Sequence, residues 1–456
     1  MDEIMKIKKQ LILTIFAGIA LINCIQAQQN ENNLLDHQKE VQTWLTEYNV
    51  PAVGIGIIKD GKLSEYKVFG ELRKGIPAND SAIFSIASVT KTIVAMVTLK
   101  LIAAGQWNLD EPLYKYWIDP DIAGDERYKK LTTRYILSHQ SGLPNWRSDL
   151  ESKKLDFLFK PGEKYSYSGE GFEYLKRALE NKFNKSLEEL SDSILFTPLG
   201  MKSTKYYWGE KIDESRYAYK HDSEGKVYEE GIQKYASAAS GLLTTVEDYS
   251  KFGIDVINQA GLPNSLFNEM VSTQTNIKEN IDQGLGWQII RNLPDGEYGL
   301  LHEGGSNGVS TLVVLLPVTK RGIVIFTNGD KGDKIYLKVL ETFINVGQTI
   351  KRDMLQMSYD PDEIKTVSIS SDILTTYAGS YFVPSFQMTV NILYEDNLLK
   401  LESPYAKMIL YAESEKKFFL KDDDLRIEFI KEENQKITGF IMTFQGAEPE
   451  FSKKMK

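Results

Sequence analysis

The sequence predicts an α/β domain with a largely antiparallel sheet, followed by a small all-β antiparallel unit. Three observations predict it. Strand-like runs stand at both ends of residues 35–350, helix-like periodicity fills the stretch between them, and beyond about residue 370 the pattern changes to short strands separated by polar turns. The chain has 456 residues, 42% hydrophobic and 26% charged, the balance of a globular protein with a sizeable core and more than one domain.

The elements follow in order. Residues 53–58 are apolar, Lys59-Asp60-Gly61-Lys62 is a tight-turn signal, and residues 63–69 resume a strand, so this stretch is a hairpin. Residues 88–104 form a helix stopped by Gly105. Residues 110–125 are loop and short turns. A short helix over 132–139 runs into the turn Ser141-Gly142-Leu143-Pro144, and residues 172–183 and 246–256 are further helices. Residues 298–303, 309–316 and 322–327 are strands, with Asn307-Gly308 as a hairpin turn. In the last segment strands fall at 388–393, 398–401, 407–411, 418–421, 426–430 and 437–444, with polar clusters such as Glu395-Asp396-Asn397 between them. That spacing suits a barrel or a sandwich.

Composition narrows the function. Lys and Arg number 54 against 63 Asp and Glu, a net charge of −9, and no long basic run is present, so nucleic acid is not an expected partner. The one cysteine, Cys24, permits no intrachain disulfide and no cysteine-based zinc site. The 4 histidines (His37, His139, His221, His302) lack metal-ligand spacing, so no metal is expected.

The first residues are an address. Lys6, Lys8 and Lys9 precede an apolar run over 11–22, and Gln26-Ala27-Gln28 offers a small residue before a polar stretch. This is the layout of a signal peptide over 1–27, and the run is short for a membrane span of ~20 residues. Leu21-Ile22-Asn23-Cys24 resembles a bacterial lipobox, although Asn23 stands where such boxes prefer Gly, Ala or Ser. The expectation is an exported, periplasmic or secreted protein that meets the membrane only if Cys24 is lipidated.

Three short stretches carry candidate chemistry. Ser88-Val89-Thr90-Lys91 places a hydroxyl and an ammonium at i and i+3, on one helix face. The same spacing occurs at Ser64, Ser223 and Ser414, but those lie on a strand, in a polar loop and before a hairpin strand. Only Ser88 opens a long helix, and that helix is apolar almost all round, the mark of a central buried element. Its N-terminus favours an alkoxide, and a lysine close to the core loses solvation and basicity. A helix-capping serine beside a snorkelling lysine would leave the same pattern. The second stretch is Tyr165-Ser166-Tyr167-Ser168-Gly169-Glu170-Gly171-Phe172. A tyrosine near an ammonium can sit partly as phenolate and act as a base, although aromatic residues before a helix commonly just pack. The third is His302-Glu303-Gly304-Gly305, where glycines allow close backbone approach and an N–H can stabilise an oxyanion. A glycine-rich turn with a surface histidine would look alike.

In order, these stretches carry a resemblance. Phe84-x-x-Ala87-Ser88-Val89-Thr90-Lys91 resembles the nucleophile motif of the class C β-lactamase-like serine hydrolases, which include penicillin-binding DD-peptidases, D-amino-acid peptidases and carboxylesterases. Leu137-Ser138-His139-Gln140-Ser141-Gly142-Leu143-Pro144 resembles their L-L-S-H-T-S-G-L-P signature, a structural landmark. Pro161-Gly162 followed by Tyr167-Ser168-Gly169 matches the P-G and Y-S-N stretch. Thr197-Pro198-Leu199-Gly200-Met201, Ala239-Ser240-Gly241-Leu242 and Gly284-Leu285-Gly286-Trp287 are similar to further landmarks. His302-Glu303-Gly304 matches the H-x-G form of the third motif, where related penicillin-binding enzymes have K-T-G. The similarity spans residues 40–330.

The resemblance implies a fold and a mechanism. The fold is a β-lactamase-like antiparallel sheet flanked by helices plus an all-helical lobe over 35–350, with the site between them. Residues 370–456 resemble the lipocalin-like β-barrel of many relatives, beginning near Leu374-Thr375-Thr376-Tyr377. Ser88 would attack a carbonyl, Lys91 and Tyr167 would move its proton to the leaving group, and the N–H groups of Ser88 and Gly305 would hold the oxyanion. His302, Gly304 and Gly169 would line the substrate site. No cofactor is implied. The substrate would be a small molecule or peptide, foremost a D-amino-acid or cell-wall-type peptide. A carboxylesterase, a β-lactamase and a non-catalytic penicillin-binding-like sensor remain the alternatives. One departure stands out: Gly169 replaces the asparagine of Tyr-x-Asn and cannot supply its amide, a loss of ~1–3 kcal/mol for a buried donor. Glu170 and Asn307 are the candidates to replace it.

Overall fold

The computed structural model describes residues 33–455 apart from 207–212, 230–234, 357–360, 362–363, 385–387, 404–406, 422, 433–435 and 445–448. The expected signal peptide and Cys24 lie outside the described residues. Strands are β1 (Ala52–Lys59), β2 (Lys62–Arg73), β3 (Ile76–Pro77), β4 (Phe84–Ser85), β5 (Leu243–Thr244), β6 (Thr275–Lys278), β7 (Ile281–Gln283), β8 (Gln288–Ile290), β9 (Gly299–Ser306), β10 (Val309–Leu316) and β11 (Arg321–Thr327). Helices that position the site are α1 (Gln38–Tyr48), α2 (Thr90–Ala103), α3 (Thr133–Leu137), α4 (Gly169–Phe183), α5 (Val246–Ile257) and α6 (Gly332–Phe343).

The expected hairpin forms as β1–β2, turned by Asp60 and Gly61 at φ of 51° and 69°, the left-handed pair a tight hairpin turn requires. All main-sheet pairings are antiparallel, in the order β3-β2-β1-β11-β10-β9-β8-β7-β6. The last strand of the domain therefore lies beside the first, with Val53 opposite Thr327. Strand alternation then sorts the side chains into two cores. Val53, Ile55, Leu312 and Ile325 pack with Val41 and Leu45 of α1 and Ile335 and Leu340 of α6. Val313, Val324 and Phe326 pack on the other side with Ile93 and Val97 of α2 and Val246 and Phe252 of α5.

Strands β4 and β5 pair with each other, and among the described residues the elements between them are helical, which gives the expected lobe. Its helices begin where capping chemistry permits. The Thr132 side chain accepts from Tyr135 N–H ahead of α3, and Ser168 Oγ accepts from Gly171 N–H at 2.9 Å ahead of α4. Asn184 ends α4 in the left-handed conformation. The helix expected from residue 88 begins two residues later, because residues Ala87–Val89 form a 3₁₀ turn.

Gly379–Val383, Met388–Glu395, Leu398–Glu402, Lys407–Ala412, Lys417–Phe419, Leu425–Lys431, Ile437–Phe444 and Glu450–Lys454 form a closed barrel, not a sandwich. The first and last of these strands pair, with Phe382 opposite Lys453, so no sheet edge remains. Its interior holds Tyr381, Phe418, Phe429 and Phe440, and the preceding helix Ser371–Tyr377 adds Tyr377, stacked on Phe429 at 4.0 Å. Phe419 packs against Leu355 and Ile364 of the connecting segment.

Candidate active site

The site begins with a turn that the sheet holds in place. Ile86 N–H donates to Leu242 O at 3.1 Å, and Ile86 O accepts from Thr311 Oγ1 of β10 at 3.1 Å. Thr90 Oγ1 donates to Ala87 O at 2.6 Å and accepts from Leu242 N–H at 3.0 Å. Between these anchors Ala87 sits at φ 44°, a conformation that costs a non-glycine residue about 1–3 kcal/mol and persists only under such restraint. The turn leaves Ser88 partly exposed above α2.

Lys91 lies one turn further on and is 0% exposed. Its Nζ donates to Ser88 Oγ at 3.1 Å and to Ala239 O at 2.7 Å, and it stands 4.8 Å from the Tyr167 ring centre and 5.7 Å from that of Phe172. Burial lowers its pKa to about 7, against an opposing pull from Glu173. The lysine does not snorkel: its head group is enclosed, and its free amine is accessible near neutral pH.

Tyr167 lines the cleft beside Ser88, just ahead of the Ser168 cap. Burial pushes its hydroxyl well above the usual tyrosine range, which disfavours the phenolate and favours a neutral phenol that can donate a proton. His139 holds it from behind, with ring centres 4.3 Å apart, and accepts Ser168 N–H on Nδ1 at 3.1 Å. Burial and Lys91 keep this histidine neutral, so its proton rests on Nε2.

Strand β9 forms the other wall. A Cβ on Gly304 would lie 2.4 Å from Ile86 O and 3.3 Å from Ser88 N, so only glycine lets the strand pass this close to the Ser88 turn. A Cβ on Gly305 would meet nothing within 4 Å. Strand β10 pairs along β9 up to Ser306, but β8 reaches only Leu301, so residues 302–306 present a free backbone edge. His302 Nδ1 donates to Glu303 O at 2.7 Å, and burial beside Lys91 lowers its pKa to about 3. The neutral ring therefore carries its proton on Nδ1 and leaves Nε2 as an acceptor.

These walls enclose a cleft of about 640 Å³ lined by Ser88, Tyr167, His302 and Gly305, together with Asn145 and Trp146. The serine, lysine, tyrosine and third-motif residues come together as the sequence predicts. Gly169 does not line the cleft; it is buried behind Asn145 and Trp146. Sequence reasoning missed Asn145, whose only signal is its place directly after Gly142-Leu143-Pro144. It also missed Glu173, which accepts from Ser237 Oγ at 2.7 Å and Ala239 N–H at 3.2 Å.

An antiparallel sheet, a helical lobe inserted between β4 and β5, and a serine–lysine pair at their junction are the layout of the β-lactamase fold, whose family members are serine hydrolases. The Beta-lactamase family model matches residues 27–341, and the chain belongs to that family. It is similar to penicillin-binding protein 4* of Bacillus subtilis (strain 168), with 25% identity over 427 residues, covering 84% of this chain and 90% of the relative. Protein flp of Staphylococcus aureus (strain MW2) is 22% identical over 336 residues, covering 66% of this chain and 63% of flp. The structure of the octameric penicillin-binding protein homologue from Pyrococcus abyssi matches in fold with a TM-score of 0.63 at 21% identity, covering 92% of this chain and 100% of that one.

Proposed function

We propose that the protein is an exported serine hydrolase that acts through a Ser88 acyl-enzyme, with short peptides of D-amino-acid or cell-wall type as its substrate class. The observation that carries this reading is Lys91: fully buried, 3.1 Å from Ser88 Oγ and depressed to a pKa of about 7. Its free amine accepts the Ser88 proton as Oγ attacks the substrate carbonyl. The N–H groups of Ser88 and Gly305 stabilise the oxyanion. The Tyr167 phenol gives its proton to the leaving group and is reprotonated from Lys91. Water then releases the acyl group by the same route in reverse.

The free edge of β9 supports a peptide over a compact ester, because an extended chain can add backbone hydrogen bonds there. Similarity to a penicillin-binding protein points the same way. The test is intact mass of the mature protein after incubation with a penicillin and, separately, a fluorophosphonate, beside Ser88→Ala. One adduct in wild type alone is expected with each. Labelling by the phosphonate alone would favour an esterase, rapid turnover of the penicillin a β-lactamase. Adduct formation without turnover of any acyl substrate would favour a sensor.

A further inference from the structure

The Lys220-His221 segment stands between two cavities. Lys220 lines the cleft with Ser88 and His302, and the next residue, His221, lines a second cavity of about 510 Å³ that shares no lining residue with the cleft. That size suits a small molecule. The segment is pinned from the sheet. His221 N–H donates to Asn328 O at 3.0 Å, His221 O accepts from Asp330 N–H at 3.1 Å, and Asp330 Oδ1 accepts from Gly308 N–H of the β9–β10 turn at 2.6 Å. A Cβ on Gly308 would lie 2.5 Å from Lys220 Cβ and 2.6 Å from His221 N, so this turn packs directly on the partition.

The second cavity has an apolar floor with one polar group in it. Leu45 and Val50 are buried there, and among its lining residues His221, 1% exposed, is the buried polar side chain. Its Nδ1 stands 3.2 Å from Asn328 O. A carbonyl oxygen can only accept, so the ring proton rests on Nδ1 and Nε2 of the neutral ring is an acceptor. Among the described residues Nε2 has no hydrogen-bond partner, so the unoccupied edge of the ring is the one the cavity meets. The rim is exposed and carries Glu71 and Glu224 against a single cation, Lys74. Asn49 closes α1 in the left-handed conformation, so the carbonyl end of that helix lies at the same rim and adds to its negative character.

We infer that this cavity is a second small-molecule site, separate from the Ser88 cleft, and that its ligand is an organic cation with an apolar body. A hydroxyl or N–H of the ligand donates to His221 Nε2 on the floor, and its ammonium stays at the rim beside Glu71 and Glu224. The lining excludes the other arrangements. An anion would meet two carboxylates and a helix carbonyl end. A wholly apolar ligand would cover Nε2 and leave it unpaired, which costs more than it gains. An ammonium inserted head first would find no counter-charge on the floor.

Tyramine is the probe, with phenethylamine lacking the hydroxyl and tyrosol lacking the ammonium as its controls. Binding is measured by calorimetry on the mature protein at about pH 8, where an ordinary histidine is neutral. Tyramine should bind about five- to tenfold more tightly than either control, the share of one hydrogen bond or one ion pair. His221→Phe should bring tyramine down to the affinity of phenethylamine. Because that change also removes the bond to Asn328, the exposed Glu224→Gln is the second variant: it should weaken tyramine about threefold and leave tyrosol unchanged. Trp146→Ala, in the wall of the Ser88 cleft, should leave tyramine binding as it is. Equal affinities for the three compounds, loss of tyramine on Trp146→Ala, or no binding of tyramine at about 10 mM would overturn the inference. Binding is read without turnover, so an inert Ser88 would remove the hydrolase reading and leave this result untouched.

Discussion

Lys91 and Glu173 communicate through one residue. Lys91 Nζ donates to Ala239 O at 2.7 Å, and Ala239 N–H donates to Glu173 Oε1 at 3.2 Å. The carboxylate thus fixes the loop that holds the lysine, and its charge resists the loss of the lysine's proton.

This sets a pH dependence. With the Lys91 pKa at about 7, the amine needed as base is lost as pH falls, so kcat/KM should decline on the acid side of neutrality. Glu173→Gln keeps an acceptor for Ala239 but removes the negative charge that favours the ammonium. The acid limb should therefore move to lower pH. The other groups facing Lys91 do not compete for this limb: Tyr167 stays protonated, while His139 and His302 stay neutral. A limb that moves to higher pH, or does not move, would contradict the assignment.

Lys91→Arg should abolish most activity although the charge is kept. Guanidinium does not release its proton in this range, so it cannot accept one from Ser88. A loss of about 10²–10⁴ in the rate of fluorophosphonate labelling is expected. Labelling at the wild-type rate would remove Lys91 from the role of base.

Neighbouring glycines of β9 should behave differently. Gly304→Ala places a methyl 2.3 Å from Thr311 Oγ1 and 2.4 Å from Ile86 O and should cost about 1–3 kcal/mol in urea unfolding. Gly305→Ala has open space around it and should unfold at the wild-type midpoint. Equal midpoints for the two variants would mean that β9 does not press on the Ser88 turn.

Arg147 holds Asp119, Asp121 and Glu170 together beneath the Asn145–Trp146 wall, and the side chains of Asp119 and Glu170 are only 5% and 8% exposed. Arg147→Met would leave those carboxylates buried without their cation. Because the arginine is itself partly exposed, the expected cost is about 2 kcal/mol rather than the full penalty for a buried pair. An unchanged unfolding midpoint would show the cluster to be dispensable.

Much of the architecture is written locally. The β1–β2 hairpin follows from an apolar run, an Asp-Gly turn and a second run, and α4 and α5 from helical periodicity and capping hydroxyls. What escaped reading depends on distant partners. Strands β6 to β8 are short and partly polar; they are strands because β9 offers them an edge. The charged strand Glu450–Lys454 exists because Gly379–Val383 waits to pair with it. The Ser88 turn starts α2 late because Thr311 and Leu242 hold Ala87 in a conformation its own sequence disfavours. In the site, Ser88, Lys91, Tyr167 and His302 are legible as spaced motifs. Asn145 and Glu173 carry no motif, and their importance comes from what the fold sets against them.

The seam between β1 and β11 has a consequence for timing. Ala52 N–H donates to Asn328 Oδ1 at 2.7 Å, a bond joining residues 276 positions apart. Pairing across so long an interval is slow to form. A growing chain that already contains Ser88 and Lys91 still lacks the central seam of its sheet and the β9 wall beside them. The Ser88–Lys91 pair can therefore meet its β9 wall only after nearly the whole domain has been synthesised.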